Sequence, residues 1–72
     1  MSDLELFSVV ALVKDLPEKG LRRGQVGTIV DTLAPEVYEV EFSDDAGQTY
    51  ASLGLPASQL MRLYHEMQHH AA

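Results

Sequence analysis

The sequence predicts an all-β fold, a small and strongly curved barrel of short strands. Three observations point to it. Val37-Tyr38-Glu39-Val40-Glu41-Phe42 alternates with period two, placing Tyr38, Val40 and Phe42 on one face and Val37, Glu39 and Glu41 on the other. Leu21-Arg22-Arg23-Gly24-Gln25-Val26-Gly27-Thr28-Ile29-Val30 sets a basic turn, punctuated by glycine, directly before a β-branched run. That suits a tight loop opening into a sharply bent strand. Clusters of Pro, Gly and Asp cut the rest of the chain into short apolar segments.

The elements follow in order. Phe7 to Val13 is nearly all apolar and rich in β-formers, enough for one buried strand. Lys14 to Gly20 is a loop with Pro17 and Gly20 in turn positions, and Leu16 and Leu21, which bracket it, are expected to pin it to the core. Val26 to Leu33 forms the second strand, ended by Ala34-Pro35, and Val37 to Phe42 forms the third. Ser43-Asp44-Asp45-Ala46-Gly47 reads as a hairpin loop, with aspartates that can close local turns and a glycine free to take positive φ. Gln48 to about Leu53 returns as the fourth strand, with Tyr50 near its middle. Gly54-Leu55-Pro56-Ala57-Ser58 breaks the pattern and suits a short 3₁₀ turn, and Leu60 to Leu63 makes the last strand. Leu60, Leu63, Tyr64 and Met67 also fall at helical spacing, so an amphipathic helix over residues 58–68 competes with that last strand. The sum is a five-stranded SH3-like barrel in a single domain over residues 1–64, with a flexible or helical C-terminal tail over 65–72.

Composition bounds the function. A chain of 72 residues holds one modest core, whose net stability rarely exceeds roughly 3–5 kcal/mol. There is no cysteine, so disulfides and cysteine-based zinc sites are excluded. No apolar run reaches the ~20 residues of a membrane helix, and the N-terminus is acidic where a signal peptide would be basic. The expectation is a soluble cytoplasmic protein. Residues 1–23 carry four bases and four acids, whereas residues 24–72 carry seven acids and Arg62 alone, which accounts for the whole net charge of −6. Such a balance argues against nucleic acid, whose affinity rests on counterion release to Lys and Arg. It suits a basic partner, or simply solubility.

Catalytic arrangements fare poorly. His65-Glu66-Met67-Gln68-His69 matches the His-Glu-x-x-His pattern of zinc proteases, in which two His one helical turn apart hold a metal. It ends three residues before the last residue, and His70, adjacent to His69, would point elsewhere on a helix, so no downstream third ligand is expected. Weak adventitious metal binding by His65 and His69 is the most it suggests, and a solvated tail is the plainer reading. Asp44 and Asp45 are explained by turn chemistry, and Glu39 and Glu41 share a solvent face that offers no burial to shift a pKa. Ser43, Ser52 and Ser58 have no His within the predicted barrel, and Gly20 to Gly27 lacks the Gly-Lys-Ser/Thr ending of a phosphate loop. No enzyme and no cofactor are expected.

Asp15-Leu16-Pro17-Glu18, Gly20-Leu21, Arg23-Gly24, Val26-Gly27-Thr28-Ile29-Val30, Tyr38-Glu39-Val40-Glu41-Phe42 and Leu55-Pro56, taken in order, resemble a family of small bacterial proteins of unknown function. Its members are close to this chain in length, and the resemblance runs from about Val9 to Leu63. It implies an SH3-like barrel and supplies no catalytic residues. Gly24 to Val30 is also similar, more loosely, to the Gly-x-x-Gly-x-Val pattern of ribosome- and polymerase-associated (KOW-like) barrels and of small photosynthetic and nitrogen-fixation accessory barrels. Those relatives bind proteins or RNA, but the shared element is a curved strand, so function does not transfer with it.

The expected function is a small non-catalytic protein-interaction module, an accessory or antitoxin-like protein that binds a larger partner through loop 14–23 and the adjacent sheet face. Lys14, Lys19, Arg22, Arg23, Tyr38 and Tyr50 are the candidate contacts, against the plainer reading of a solvated mixed-charge loop. The alternatives are a nucleic-acid-binding KOW-like barrel and a self-assembling structural subunit. Tyr64 and Met67 either cap the barrel or form a self-association surface for a homodimer.

Overall fold

A computed structural model describes residues 4–64. It is all-β, with β1 (Val9–Leu12), β2 (Val26–Ala34), β3 (Val37–Ser43), β4 (Thr49–Pro56) and β5 (Leu60–Leu63). The strands form one antiparallel sheet in the order β4-β3-β2-β1-β5. Two 3₁₀ turns, Pro17–Lys19 and Ala57–Gln59, complete it. The second directly precedes β5 and carries the chain from one end of the sheet to the other. It also fastens that crossing, since Ala57 N–H donates to Glu36 C=O at 2.8 Å and Val13 N–H to Gln59 C=O at 3.0 Å.

The inner face of the curled sheet is the core. Period-two alternation on β3 sends Tyr38, Val40 and Phe42 inward. Val10 and Leu12 from β1, Ile29 from β2, Leu55 from β4 and Leu60 from β5 meet them. Leu16 and Leu21 close one end from the loop, as their bracketing positions predict. Beyond these, Leu4, Ala51, Leu53 and Ala57 pack against the cluster. Burying side chains of this size contributes about 1.5–3 kcal/mol each, so the cluster is what opposes the conformational entropy of a short chain.

The elements depart from the expectation by more than a residue at the start of β1, at the end of β4 and in the stretch around β5. β1 starts at Val9 because Leu6 and Phe7 form a turn, closed by Ser8 N–H to Glu5 C=O at 3.0 Å. The buried Ser8 hydroxyl accepts the Glu5 N–H at 3.1 Å and holds that turn in place. β4 runs on through Gly54, Leu55 and Pro56, and the 3₁₀ turn follows at Ala57–Gln59. Pro56 is tolerated because β4 is an edge strand, where one backbone N–H can be missing. The competing helix over 58–68 is excluded for residues 60–63, which are strand. The remainder of that stretch beyond Tyr64, including Met67, His65 and His69, lies outside the described residues.

The β2–β3 connection is a two-residue turn, Pro35-Glu36, with Glu36 at φ 63°. A proline followed by a positive φ is the type II pattern, whose third position favours Gly or Asn. Glutamate there carries a backbone penalty of order 1 kcal/mol. Glu36→Asn is therefore expected to raise stability by about 0.5–1 kcal/mol. Thermal unfolding would read this as a rise of several degrees, and an unchanged midpoint would show that the turn carries no strain.

Candidate functional site

The loop between β1 and β2 is fixed from its own backbone outward. At its root Leu12 N–H donates to Gln25 C=O at 2.9 Å, and Gly24 N–H donates to Leu12 C=O at 2.8 Å. Further out, Leu16 and Leu21 exchange both backbone bonds, at 2.9 and 3.1 Å, while their side chains are buried in the core. Between them lies the first 3₁₀ turn, opened by Pro17 and closed by Gly20 in the left-handed region at φ 72°. Gln25 N–H donates to Arg22 C=O at 3.1 Å, around a turn in which Gly24 takes φ 92°. The two arginines thus sit on a tight turn that proline, glycine and two buried leucines hold in one shape.

Side chains complete the fixing. The Asp15 carboxylate accepts the Arg23 backbone N–H at 2.8 Å, and the Gln25 side-chain carbonyl accepts the Arg22 N–H at 2.5 Å. The Gln25 amide then donates to the Tyr50 hydroxyl at 2.9 Å, joining the loop to β4 across the molecule. Tyr50 sits at the irregularity in the β3–β4 ladder, between the Phe42–Ala51 and Ser43–Thr49 pairs, and its side chain stays half exposed.

What the loop offers outward is charge. Lys14, Lys19, Arg22 and Arg23 are all exposed. Among the described residues none of the four enters an ion pair, and the pair present is Arg62 with Glu5 at 3.6 Å. An open depression of about 660 Å³ lies beside them, lined by Asp15, Pro17, Gly20, Leu21 and Arg22. The acids Asp15 and Glu18 sit among these bases, and the Asp15 carboxylate is engaged with the loop backbone.

Two of the sequence-predicted contacts need revision or relocation. Tyr38 is 6% exposed and belongs to the core, so it drops out of the contact surface. Its period-two partnership with Val40 and Phe42 already placed it on the inner face. Tyr64 is exposed at the end of β5, with the Arg62 guanidinium 4.8 Å from its ring centre. It stands by Arg62 and Glu5 at the end of the sheet opposite the basic loop, while its proposed companion Met67 lies outside the described residues.

Asp44, Ser52 and Glu39, among the acidic and hydroxyl side chains weighed in the sequence, make bonds of their own. Asp44 Oδ1 accepts the N–H groups of Ala46 and Gln48, both at 2.9 Å, which is its hairpin role. Ser52 Oγ donates to Glu39 Oε2 at 2.5 Å across the outer face of β3 and β4. Among these residues no group of three His, Asp or Glu side chains converges to hold a metal, and no helix is long and apolar enough to cross a membrane.

The model of a family described as "Domain of unknown function (DUF4926)" matches residues 6–62, and the chain belongs to that family. No curated protein and no solved structure matches the chain significantly.

Proposed function

We propose that this member of the family is a small non-catalytic protein-interaction module, an accessory or antitoxin-like protein that docks on a larger partner through loop 14–23 and the adjacent sheet face. One observation carries the reading: the backbone N–H groups of Leu16 and of residues 19–25 are bonded within the molecule, while four basic side chains and the Tyr50 ring remain outside. A preorganised loop loses little entropy on binding, which raises affinity without adding contacts. Arginine and tyrosine are also the side chains that most often dominate interface energetics. The surface facing the loop would carry carboxylates. The protein is read as cytoplasmic, in keeping with a cysteine-free chain.

Nucleic acid is the second reading, favoured by the same four bases on one loop. The net charge of −6 opposes it. Retention on nucleic acid that falls steeply with salt would revive it, and indifference at low salt would end it.

Charge reversal tests the loop. Arg22 and Arg23 are exposed, and both are held through backbone N–H groups and the Arg22 C=O, which survive substitution. Arg22→Glu with Arg23→Glu is expected to change stability by less than about 0.5 kcal/mol. Partner capture should fall at least roughly tenfold, equivalent to about 1.4 kcal/mol. Unfolding of the double variant would make the arginines structural and the proposed surface wrong.

A further inference from the structure

β1 is apolar on both faces, and only one of them meets the core. Val10 and Leu12 point inward, whereas the register assigns Val9 and Ala11 to the outside. On that outer face Ala11 lies between Val26 of β2 and Met61 of β5, and Val9 lies between Thr28 and Leu63. Ala11 is only 6% exposed yet stands apart from the core cluster, as expected of a small side chain flanked by larger ones outside. Val26 is 47% and Met61 52% exposed, and Val13, at the end of the strand, is 41% exposed. At the strand's head Phe7 is 72% exposed and held at φ 70°, a conformation bulky residues rarely adopt. Single exposed apolar residues are ordinary, but a strip across three neighbouring strands marks an interaction surface. A strand with no polar alternation is the pattern of a sheet covered on both sides.

The same face turns acidic on the next strand. Thr28 is paired with Glu41, and Asp31 stands directly opposite Glu39. Like charges facing each other across a ladder oppose its formation. Among the described residues none of these three acids makes an ion pair, and Glu39 is met by the Ser52 hydroxyl. One cross-strand row, Leu63–Val9–Thr28–Glu41–Ser52, passes from the apolar half to the acidic half.

We infer that the outer face of β5, β1 and β2, with the acidic strip on β2 and β3 beside it, is a docking surface for a partner segment whose apolar side chains are flanked by lysine or arginine. The inference rests on the reading of the chain as an interaction module, and adds a second surface with the opposite charge preference to the loop. Apolar residues on the partner cover Val9, Val26 and Met61, while its cations relieve the Asp31–Glu39 opposition. A second copy of this chain fits less well, because residues 24–72 carry the whole net charge of −6 and would meet like charge.

A titration of the full isotopically labelled chain with a synthetic amphipathic Leu/Lys peptide, followed by NMR, tests this. Ser/Lys and Leu/Glu peptides of equal length are the controls. The expected result is saturable binding of the Leu/Lys peptide alone, with shifts centred on Val9, Ala11, Val26, Met61 and Leu63. Met61→Glu, and separately Glu39→Lys with Glu41→Lys, should each weaken it at least tenfold, while Arg22→Glu with Arg23→Glu leaves it unchanged. Equal binding of the Ser/Lys peptide, or indifference to Met61→Glu, would overturn the inference. So would the same shifts arising on concentration of the chain alone, with a dimer in sedimentation, because the occupant would then be a second copy. Shifts confined to residues 14–25 would remove this surface and leave the loop reading standing.

Discussion

Phe42→Ala is expected to unfold the domain. Phe42 is fully buried and heads the largest of the buried side chains. The register sets it between Gly27 of β2 and Ala51 of β4, so the ring fills space that small neighbours leave open. Truncating a buried phenylalanine costs about 3–5 kcal/mol, and a core in a domain of this size rarely supplies more than roughly that amount. Far-UV circular dichroism and a urea titration should find the variant largely unfolded without denaturant. Phe42→Leu, which conserves more volume, should lose less than about 1.5 kcal/mol and retain a cooperative transition. A fully folded Phe42→Ala would mean that the core is held mainly by other contacts.

Gly27→Ala is expected to be nearly as damaging, for the reciprocal reason. A Cβ at Gly27 would lie 2.8 Å from the Glu41 carbonyl oxygen, 2.8 Å from Val40 Cγ1 and 2.9 Å from Phe42 Cδ1. A backbone oxygen in the paired strand cannot retreat without parting β2 from β3. Overpacking of this kind costs about 1–3 kcal/mol, sometimes more. Gly54→Ala is the built-in comparison, since its added Cβ would meet only the end of the exposed Leu33 side chain, at 2.9 Å. That variant should change stability by less than about 1 kcal/mol. Urea midpoints of the two, side by side, decide whether room at Gly27 is what the fold requires.

The same glycine shows how far the sequence could be read. Gly24 and Gly27 both suggested a tight turn, yet only Gly24 takes positive φ, while Gly27 is already in the strand and is required by close packing. Either demand writes the same letter, so composition cannot separate them. Alternation made β3 and its inner face legible, and the hairpin with Gly47 at φ 83° followed from turn chemistry. The last strand, Leu60–Leu63, has the predicted bounds. β1 was found but not oriented, because an unbroken apolar run has no phase, and only its register against β2 and β5 separates core from surface. β4 was cut short because Gly54 and Pro56 read as breakers, whereas one makes room beside Leu33 and the other ends an edge strand.

The candidate site divides along the same line. Its four bases and the anchoring of Leu16 and Leu21 were visible as local pattern. The bonds from Asp15 to Arg23 and from Gln25 to Tyr50 were not, because they join residues that only the folded chain brings together. Tyr38, a candidate contact by residue type, has the phase on β3 that points to the core. The outer apolar strip needed three strands in register before it existed as a surface at all.

The most direct test of a protein-interaction role is affinity capture by the full chain from native cell lysate. Bound proteins would be identified by mass spectrometry, and the same eluate assayed for nucleic acid. The expected result is one protein retained in stoichiometric amount, free of nucleic acid and lost on reversing Arg22 and Arg23. Nucleic acid retained with no protein, or an eluate holding only the chain itself, would contradict it.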